Sequence, residues 1–385
     1  MNKPYQVQLL IISDQPSSNL CPLLDSRLTP DEIMLATPKG SNYQDFQRWM
    51  IEVCQPLGIK CSVLDLPDYE KIATLRHCFE QLVEQRVALG QQLTLNSTCG
   101  EKPIAIIAHE VFVYHDLPVF YVKHDWLHWL HNPHQLAAIS LEDRIKIPAF
   151  LNSHGLNVTA LKRGPITLQM RDIASHWLSQ AKTYTKSMGI LNYYAAKAQH
   201  SLYCNISEQH NTAHSPFSMM LDQLSDAGLI QLAGNKLTFS DEESRFFANG
   251  GWLEDQVFSE LLLLRKELPK LQDIARNVEI EWRESNHQHK VKNELDVIAL
   301  YDNRLLVIEC KTKRFDKGEA KNVVYKLGAM IKHLGGIKAV GAIVSFQHIS
   351  AKHCERAQLL DIYVCEKQGL ANLPRQLRHF LEECN

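Results

Sequence analysis

Between residues 293 and 313 the sequence gathers acidic and basic side chains at a spacing suited to metal-assisted chemistry on a phosphate ester. Leu295, Val297 and Ala299 alternate with Glu294, Asp296 and Ile298, and an apolar run follows from Leu305 to Ile308, with Asp302-Asn303 as turn residues between them. This pattern predicts a hairpin. With Asp302 and Asn303 as its loop, Asp296 lies opposite Glu309 and Glu294 opposite Lys311, and all four share a face because side chains alternate along a strand. Opposed carboxylates repel, so a counter-charge is needed. A divalent cation supplies one. The carboxylates of Asp296 and Glu309 and the backbone carbonyl of Cys310 are hard oxygen donors suited to Mg²⁺ or Mn²⁺, ions that keep waters and accept phosphate oxygens. Lys311 would orient or deprotonate a water, or offset charge developing on phosphorus oxygens. A longer loop would slip the register and undo the alignment. The bland alternative is a hairpin with a charged, solvated face; the clustering of charge at one end favours the site.

These residues resemble the signature of the PD-(D/E)xK nuclease superfamily, an acidic residue followed by a hairpin and Asp/Glu-x-Lys, with Asp296, Glu309 and Lys311 in the matching places. Many members carry a further Glu on a preceding helix. Gly250-Gly251-Trp252-Leu253-Glu254-Asp255 starts such a helix and makes Glu254 the candidate. The resemblance implies a restriction-endonuclease-like α/β domain in the C-terminal part of the chain. It also implies catalysis by Asp296, Glu309 and Lys311, with Mg²⁺ or Mn²⁺ held by Glu254, Asp296, Glu309 and the Cys310 carbonyl.

A chain of 385 residues has room for two or three domains. Its net charge of −2 gives no global attraction to nucleic acid, so a binding surface must be local. Lys313, Arg314, Lys317, Lys321, Lys326 and Lys332 form the best basic stretch, although a solvated helix face accounts for most of them equally well. The ten cysteines are scattered without a Cys-x-x-Cys pair, which argues for free thiols in a reducing compartment and against zinc or disulfides. The apolar run Val7 to Ile12 is too short for a signal peptide or a membrane span, and nothing later reaches spanning length, so a cytoplasmic location without a membrane partner is expected.

Residues 1–135 alternate strand and helix patterns. Strands are expected at Val7 to Ile12, Glu32 to Thr37, Ile59 to Leu66, Gln91 to Asn96 and Leu117 to His124, with helices at Asn42 to Cys54, Asp68 to Leu89 and Glu101 to Phe112. This order predicts a Rossmann-like, doubly wound parallel sheet that binds ligands beyond the carboxyl ends of its strands. Neither Gly-x-Gly-x-x-Gly nor a Walker pattern is present, so a dinucleotide or ATP site is not supported. Polar loops leave the strand ends at Ser13 to Asn19, Thr37 to Asn42 and Asn96 to Pro103. The last enters a helix, where free N–H groups and Lys102 suit an anion, though ordinary helix capping explains such a loop as well.

Asn96-Ser97-Thr98-Cys99-Gly100-Glu101-Lys102 resembles a degenerate form of the Asn-x-Thr-Gly-Gly-Thr-Lys loop of CRISPR-associated Rossmann-fold (CARF) sensor domains, which as dimers bind cyclic oligoadenylates. Asn96, Thr98, Gly100 and Lys102 match, while Cys99 and Glu101 replace a Gly and a Thr. The Ser13 to Asn19 loop matches the other nucleotide-facing loop in position, which makes Ser13 and Asn19 candidates beside them.

Residues 136–249 read as a helical connector. Helical periodicity covers Leu168 to Ala181 and Met188 to Ala198, and a helix from Ser215-Pro216 to Ala227, stopped by Gly228, leads into a hairpin around Gly234-Asn235, a winged-helix-like pair. The run Trp126 to His134 fits no metal-ligand template, and a structural or interface role is preferred. Residues 250–385 complete the C-terminal α/β domain, with a strand at Ala275 to Arg283 and a polar loop at Glu284 to Lys292 ahead of the hairpin.

Together the two resemblances imply a CRISPR ancillary nuclease of type III antiviral defence. It would be a homodimer activated by cyclic oligoadenylate, with cyclic tetra-adenylate expected, and would cut DNA in preference to RNA. Two other readings stay open: a nucleotide-sensing DNA-binding regulator with a structural acidic hairpin, and a ligand-independent repair or restriction nuclease.

Overall fold

The computed structural model describes residues 6–68, 70–123, 125–283, 291–313 and 319–383. His124, residues 284–290 of the expected polar loop, Arg314 and Lys317 lie outside them.

The N-terminal sheet contains β1 (Val7–Ile11), β2 (Glu32–Pro38), β3 (Lys60–Leu66), β4 (Leu93–Asn96), β5 (Val119–Lys123), β6 (Trp126–His131) and β7 (Ile139–Ser140) in the order β3-β2-β1-β4-β5-β6-β7. β1 to β5 are parallel; β6 and β7 add antiparallel strands at one edge. β1, β2 and β4 are buried throughout, as strands covered on both faces must be. Helices Ile72–Ala88 and Lys102–Tyr114 pack on Val7, Leu9 and Ile11, and helix Gln44–Cys54 packs on the face of Leu10. This is the doubly wound arrangement expected. One expectation changes: the loop after β1 ends at Pro16, and Ser17–Leu24 is a helix that buries Leu20 and Leu23. Its serines and Pro22 disguise it as a loop. The aromatic-histidine run is β6, a sheet strand.

β8 (Leu156–Lys162) follows, then a three-stranded sheet of β9 (Tyr203–Asn205), β10 (Ile230–Ala233) and β11 (Lys236–Phe239) in the order β10-β11-β9. It stands beside helix Pro216–Asp226, whose N-terminus is capped by Ser215 accepting from the Ser218 N–H. Helices Leu168–Ser179 and Ala181–Lys197 link it to the rest.

The C-terminal sheet adds β12 (Leu271–Trp282), β13 (Lys292–Tyr301), β14 (Arg304–Lys311), β15 (Ala339–Ser345) and β16 (Ile362–Glu366) in the order β16-β15-β14-β13-β12-β8. β8 belongs to this sheet although it lies in the stretch read as connector. It pairs antiparallel with β12, an edge partnership across more than a hundred residues that no local pattern announces. The sheet has two covered faces. Val297, Ala299, Leu306 and Ile308 pack on Trp252, Val257 and the connector helices, whereas Ile298, Leu300, Leu305 and Val307 share a core with Phe120, Leu127 and Phe150.

The β13–β14 turn is Asp302-Asn303, with φ of 51° and 58°, the paired positive angles of a type I′ hairpin. Asn303 is fully buried against the N-terminal half. Its Nδ2 donates to Asp143 Oδ1 at 3.0 Å and Asp125 Oδ1 at 3.4 Å, and its backbone N–H donates to Gln272 Oε1 at 2.9 Å. Lys338 stands 3.3 Å from Asp125, and Lys270 2.5 Å from Asp302. Among the described residues no helix is long and apolar enough to cross a membrane.

Candidate active site

β13 and β14 pair from Tyr301 with Arg304 to Val297 with Ile308, the register expected from the turn. Beyond that pair the strands part. The Cys310 N–H, next in line for a ladder bond, donates instead to Asp296 Oδ2 at 2.7 Å, so the carboxylate fills the opening. Glu294, expected opposite Lys311, lies past the paired stretch and faces Glu279 of β12. Lys311 Nζ sits 2.5 Å from Glu309 Oε1 and 3.9 Å from Asp296 Oδ2. Asp296, Glu309 and Lys311 are thus brought together.

Glu254 comes from helix Trp252–Leu264, which packs over the sheet through Trp252, Leu253, Val257 and Phe258. Its Oε2 accepts from Asn277 Nδ2 at 2.7 Å. Ahead of it, Gly250 adopts φ of 119°, and a Cβ there would lie 2.3 Å from Thr312 Oγ1. Only glycine allows that approach. Thr312 is buried just after Lys311, where its Oγ1 accepts from Asn192 Nδ2 at 3.0 Å and its carbonyl from Gln347 Nε2 at 3.1 Å. The Lys311 carbonyl accepts from the Phe346 N–H at 2.8 Å. The end of β14 is therefore fastened on several sides. Of these supports only the Gly-Gly pair signalled itself in the sequence; Asn277, Asn192 and Gln347 act from other elements.

Burial pushes the Asp296 carboxyl up to about 7, with the charge of Glu309 next in weight and Lys311 opposing. Burial, then Asp296 and Glu294, raises Glu254 well above the carboxylate range. Burial works against the Lys311 ammonium, yet Asp296 and Glu309 outweigh it and hold its pKa above the ordinary value. Buried oxygens with excess negative charge are the donor set a hard divalent cation satisfies. Among the described residues no group of three His, Cys, Asp or Glu side chains already converges as a metal cage. Instead, Lys311 neighbours both Asp296 and Glu309, and Asn277 holds Glu254. Strand geometry turns a residue's carbonyl to the same edge as its N–H, so the Cys310 carbonyl belongs to the edge of β14 where the N–H meets Asp296.

In the N-terminal half Asn19 and Asn96 are fully buried. Asn96 Nδ2 donates to Asn19 Oδ1 at 3.0 Å, and Asn19 Nδ2 to the Ile11 carbonyl at 3.0 Å. Asn96 Oδ1 accepts from the Thr98 N–H and hydroxyl, and Thr98 Oγ1 accepts from the Val122 N–H at 2.9 Å. These three side chains build the loop from within. Gly100 has φ of 94°, and a Cβ there would strike Ile11 at 2.1 Å. Ser13 Oγ accepts from the Gln15 N–H, and Lys102 is exposed at the start of its helix. Cys99 Sγ meets the Gln15 carbonyl at 3.5 Å, which ties the two loops together. Of the basic stretch, Lys313, Lys321, Lys326 and Lys332 are exposed, and Lys321 and Arg356 lie 5.8 and 5.3 Å from the Tyr325 ring.

Residues 241–383 match the family described as Card1-like, endonuclease domain. No curated protein matches the chain. Among solved structures, protein VC1899 from Vibrio cholerae is similar at 26% identity over 98% of each chain, with a TM-score of 0.90. Can2 from Sulfobacillus thermosulfidooxidans, solved in complex with cyclic tetra-adenylate, is 22% identical over 98% of this chain and 97% of its own, with a TM-score of 0.75. A type III CRISPR defence DNA nuclease activated by cyclic oligoadenylate is 14% identical; the similarity spans 98% of this chain but 52% of that one, with a TM-score of 0.60.

Proposed function

We propose that this chain, with its Card1-like endonuclease domain behind a CARF-like N-terminal fold, hydrolyses phosphodiester bonds in DNA when cyclic oligoadenylate occupies that fold, in type III CRISPR defence. The observation that carries the reading is the meeting of Asp296, Glu309 and Lys311 at parted strand ends, with Lys311 2.5 Å from Glu309. Glu254, Asp296, Glu309 and the Cys310 carbonyl would hold Mg²⁺ or Mn²⁺, which when bound offsets their charge, polarises a phosphate oxygen and lowers the pKa of a water. Lys311, kept as an ammonium by its two carboxylate neighbours, serves as donor and counter-charge rather than as a base.

On the N-terminal side Ser13, Lys102 and the backbone around Gly100 would meet the ring, with Asn19, Asn96 and Thr98 shaping their loops. A homodimer suits a cyclic ligand because both can share a two-fold axis. The ring acts as a switch only through a higher affinity for the cutting-competent arrangement.

The test is purified protein with single- and double-stranded DNA and RNA, each with and without Mn²⁺ and cyclic tetra-adenylate. Cleavage of DNA requiring both additions is expected. Cleavage indifferent to the ring would mean a ligand-independent nuclease, and duplex binding without cutting would mean a regulator. D296N and K311A are expected to stop cleavage and to leave ring affinity intact.

A further inference from the structure

We propose that Asn277 is a positioning residue that turns the Glu254 carboxylate toward Asp296 and Glu309; this rests on the metal-nuclease reading above. Asn277 lies inside β12, between Arg276, paired with Val297, and Val278, paired with Leu295, so across the ladder it faces Asp296. Its φ is 48°, a left-handed angle in a strand interior. Asparagine tolerates that angle better than most residues, but glycine takes it at lower cost, so the backbone alone does not call for an amide.

The side chain shows what the angle achieves. Nδ2 donates to Glu254 Oε2 at 2.7 Å, while Oδ1 accepts from an Arg276 terminal nitrogen at 3.3 Å, which fixes the donor end toward the carboxylate. Arg276 Nε lies 3.1 Å from Asp255 Oδ1, an ion pair without the alignment of a hydrogen bond, and its guanidinium is 5.3 Å from the Phe258 ring. Asp255 adjoins Glu254 on the same helix. The chain of contacts therefore runs from helix to strand and back, ending on the candidate ligand. Asn277, Arg276 and Asp255 are 8%, 5% and 4% exposed, so water does not compete for these contacts freely. Without the amide, Glu254 would have no side-chain donor among the described residues to set its orientation, with Asp296 and Glu294 as negative neighbours.

The test compares full-length wild type, N277G, E254Q and the double variant by calorimetric Mn²⁺ uptake, thermal unfolding and DNA cleavage. N277G keeps the backbone angle and removes the amide. It is expected to unfold near the wild-type temperature and to take up Mn²⁺ roughly 10- to 100-fold more weakly. The double variant is expected to be no weaker than E254Q alone, because Asn277 acts through Glu254. An N277G protein with wild-type Mn²⁺ affinity overturns the proposal, as does a double variant whose loss is the product of the two single losses. Should N277G fail to fold, N277A removes the amide without adding a carboxylate to the site, and unchanged Mn²⁺ affinity there overturns the proposal equally. A wild type that takes up no Mn²⁺ refutes the metal reading and this inference with it; wild-type uptake beside an unchanged variant refutes the inference alone.

Discussion

Asp296 ionises against its surroundings. Its carboxyl is pushed up to about 7 by burial and by Glu309, against about 3.9 in an unfolded chain. Between those values the folded protein binds more protons than the unfolded one. This contribution to stability of the metal-free protein is therefore complete below about pH 4 and is lost as the pH rises through about 7. D296N removes the titration, so thermal unfolding without metal should show it gaining on wild type between pH 5 and pH 8, on the order of 1 °C per kcal/mol recovered for a chain of this length. Its cleavage should stop, because a candidate metal ligand is lost. K311A should go the other way, losing about 1–3 kcal/mol at pH 8 because it leaves carboxylates without their ammonium, with part of the loss restored by Mn²⁺. G250A should cost about 1–3 kcal/mol in denaturant unfolding, since a Cβ would lie 2.3 Å from Thr312 Oγ1 at a φ of 119°. Cleavage should drop with it, because Thr312 adjoins Lys311.

The hairpin was legible because its signals are local. Asp-Asn at a two-residue turn specifies paired positive φ angles, and the apolar alternation on both sides sets the register, which the Val297–Ile308 pair bears out. A single glycine inserted between Asp302 and Asn303 should therefore slip the strands, separate Asp296 from Glu309 and abolish cleavage, with a lower unfolding midpoint as the check. What the sequence hid depends on partners elsewhere. Asn277, one of several polar residues along β12, carries no pattern of its own until Glu254 is placed beside it. The parting of β13 and β14 cannot be read from alternation, which predicts continued pairing to Glu294 and Lys311. Asn19 and Asn96 read as ligand-facing, but they satisfy each other beneath the surface, as buried amides must. Helix Ser17–Leu24 was concealed by residues typical of turns.

At the scale of the whole molecule, one hairpin spans two environments. Its open end carries Asp296, Glu309 and Lys311, and its turn is set among Asp125, Asp143 and Gln272 at the junction with the N-terminal half. Burial, then Asp302 and Asp125, pushes Asp143 up to about 7, so the contribution of this carboxyl to the junction is present below about pH 4 and lost as the pH rises through about 7. D143N should flatten that dependence, read as slower amide exchange at Asn303 at pH 8 than in wild type. The partnership of β8 with β12 has a consequence for any attempt to take the protein apart. Residues 250–385 expressed alone would bare the outer rim of a 12-residue strand, together with the apolar face that packs on Phe120 and Phe150. Light scattering of that fragment should reveal clumping where the intact chain stays dispersed. The C-terminal half is thus no detachable cassette: transplanting it behind a different N-terminal unit would require carrying its borrowed border along.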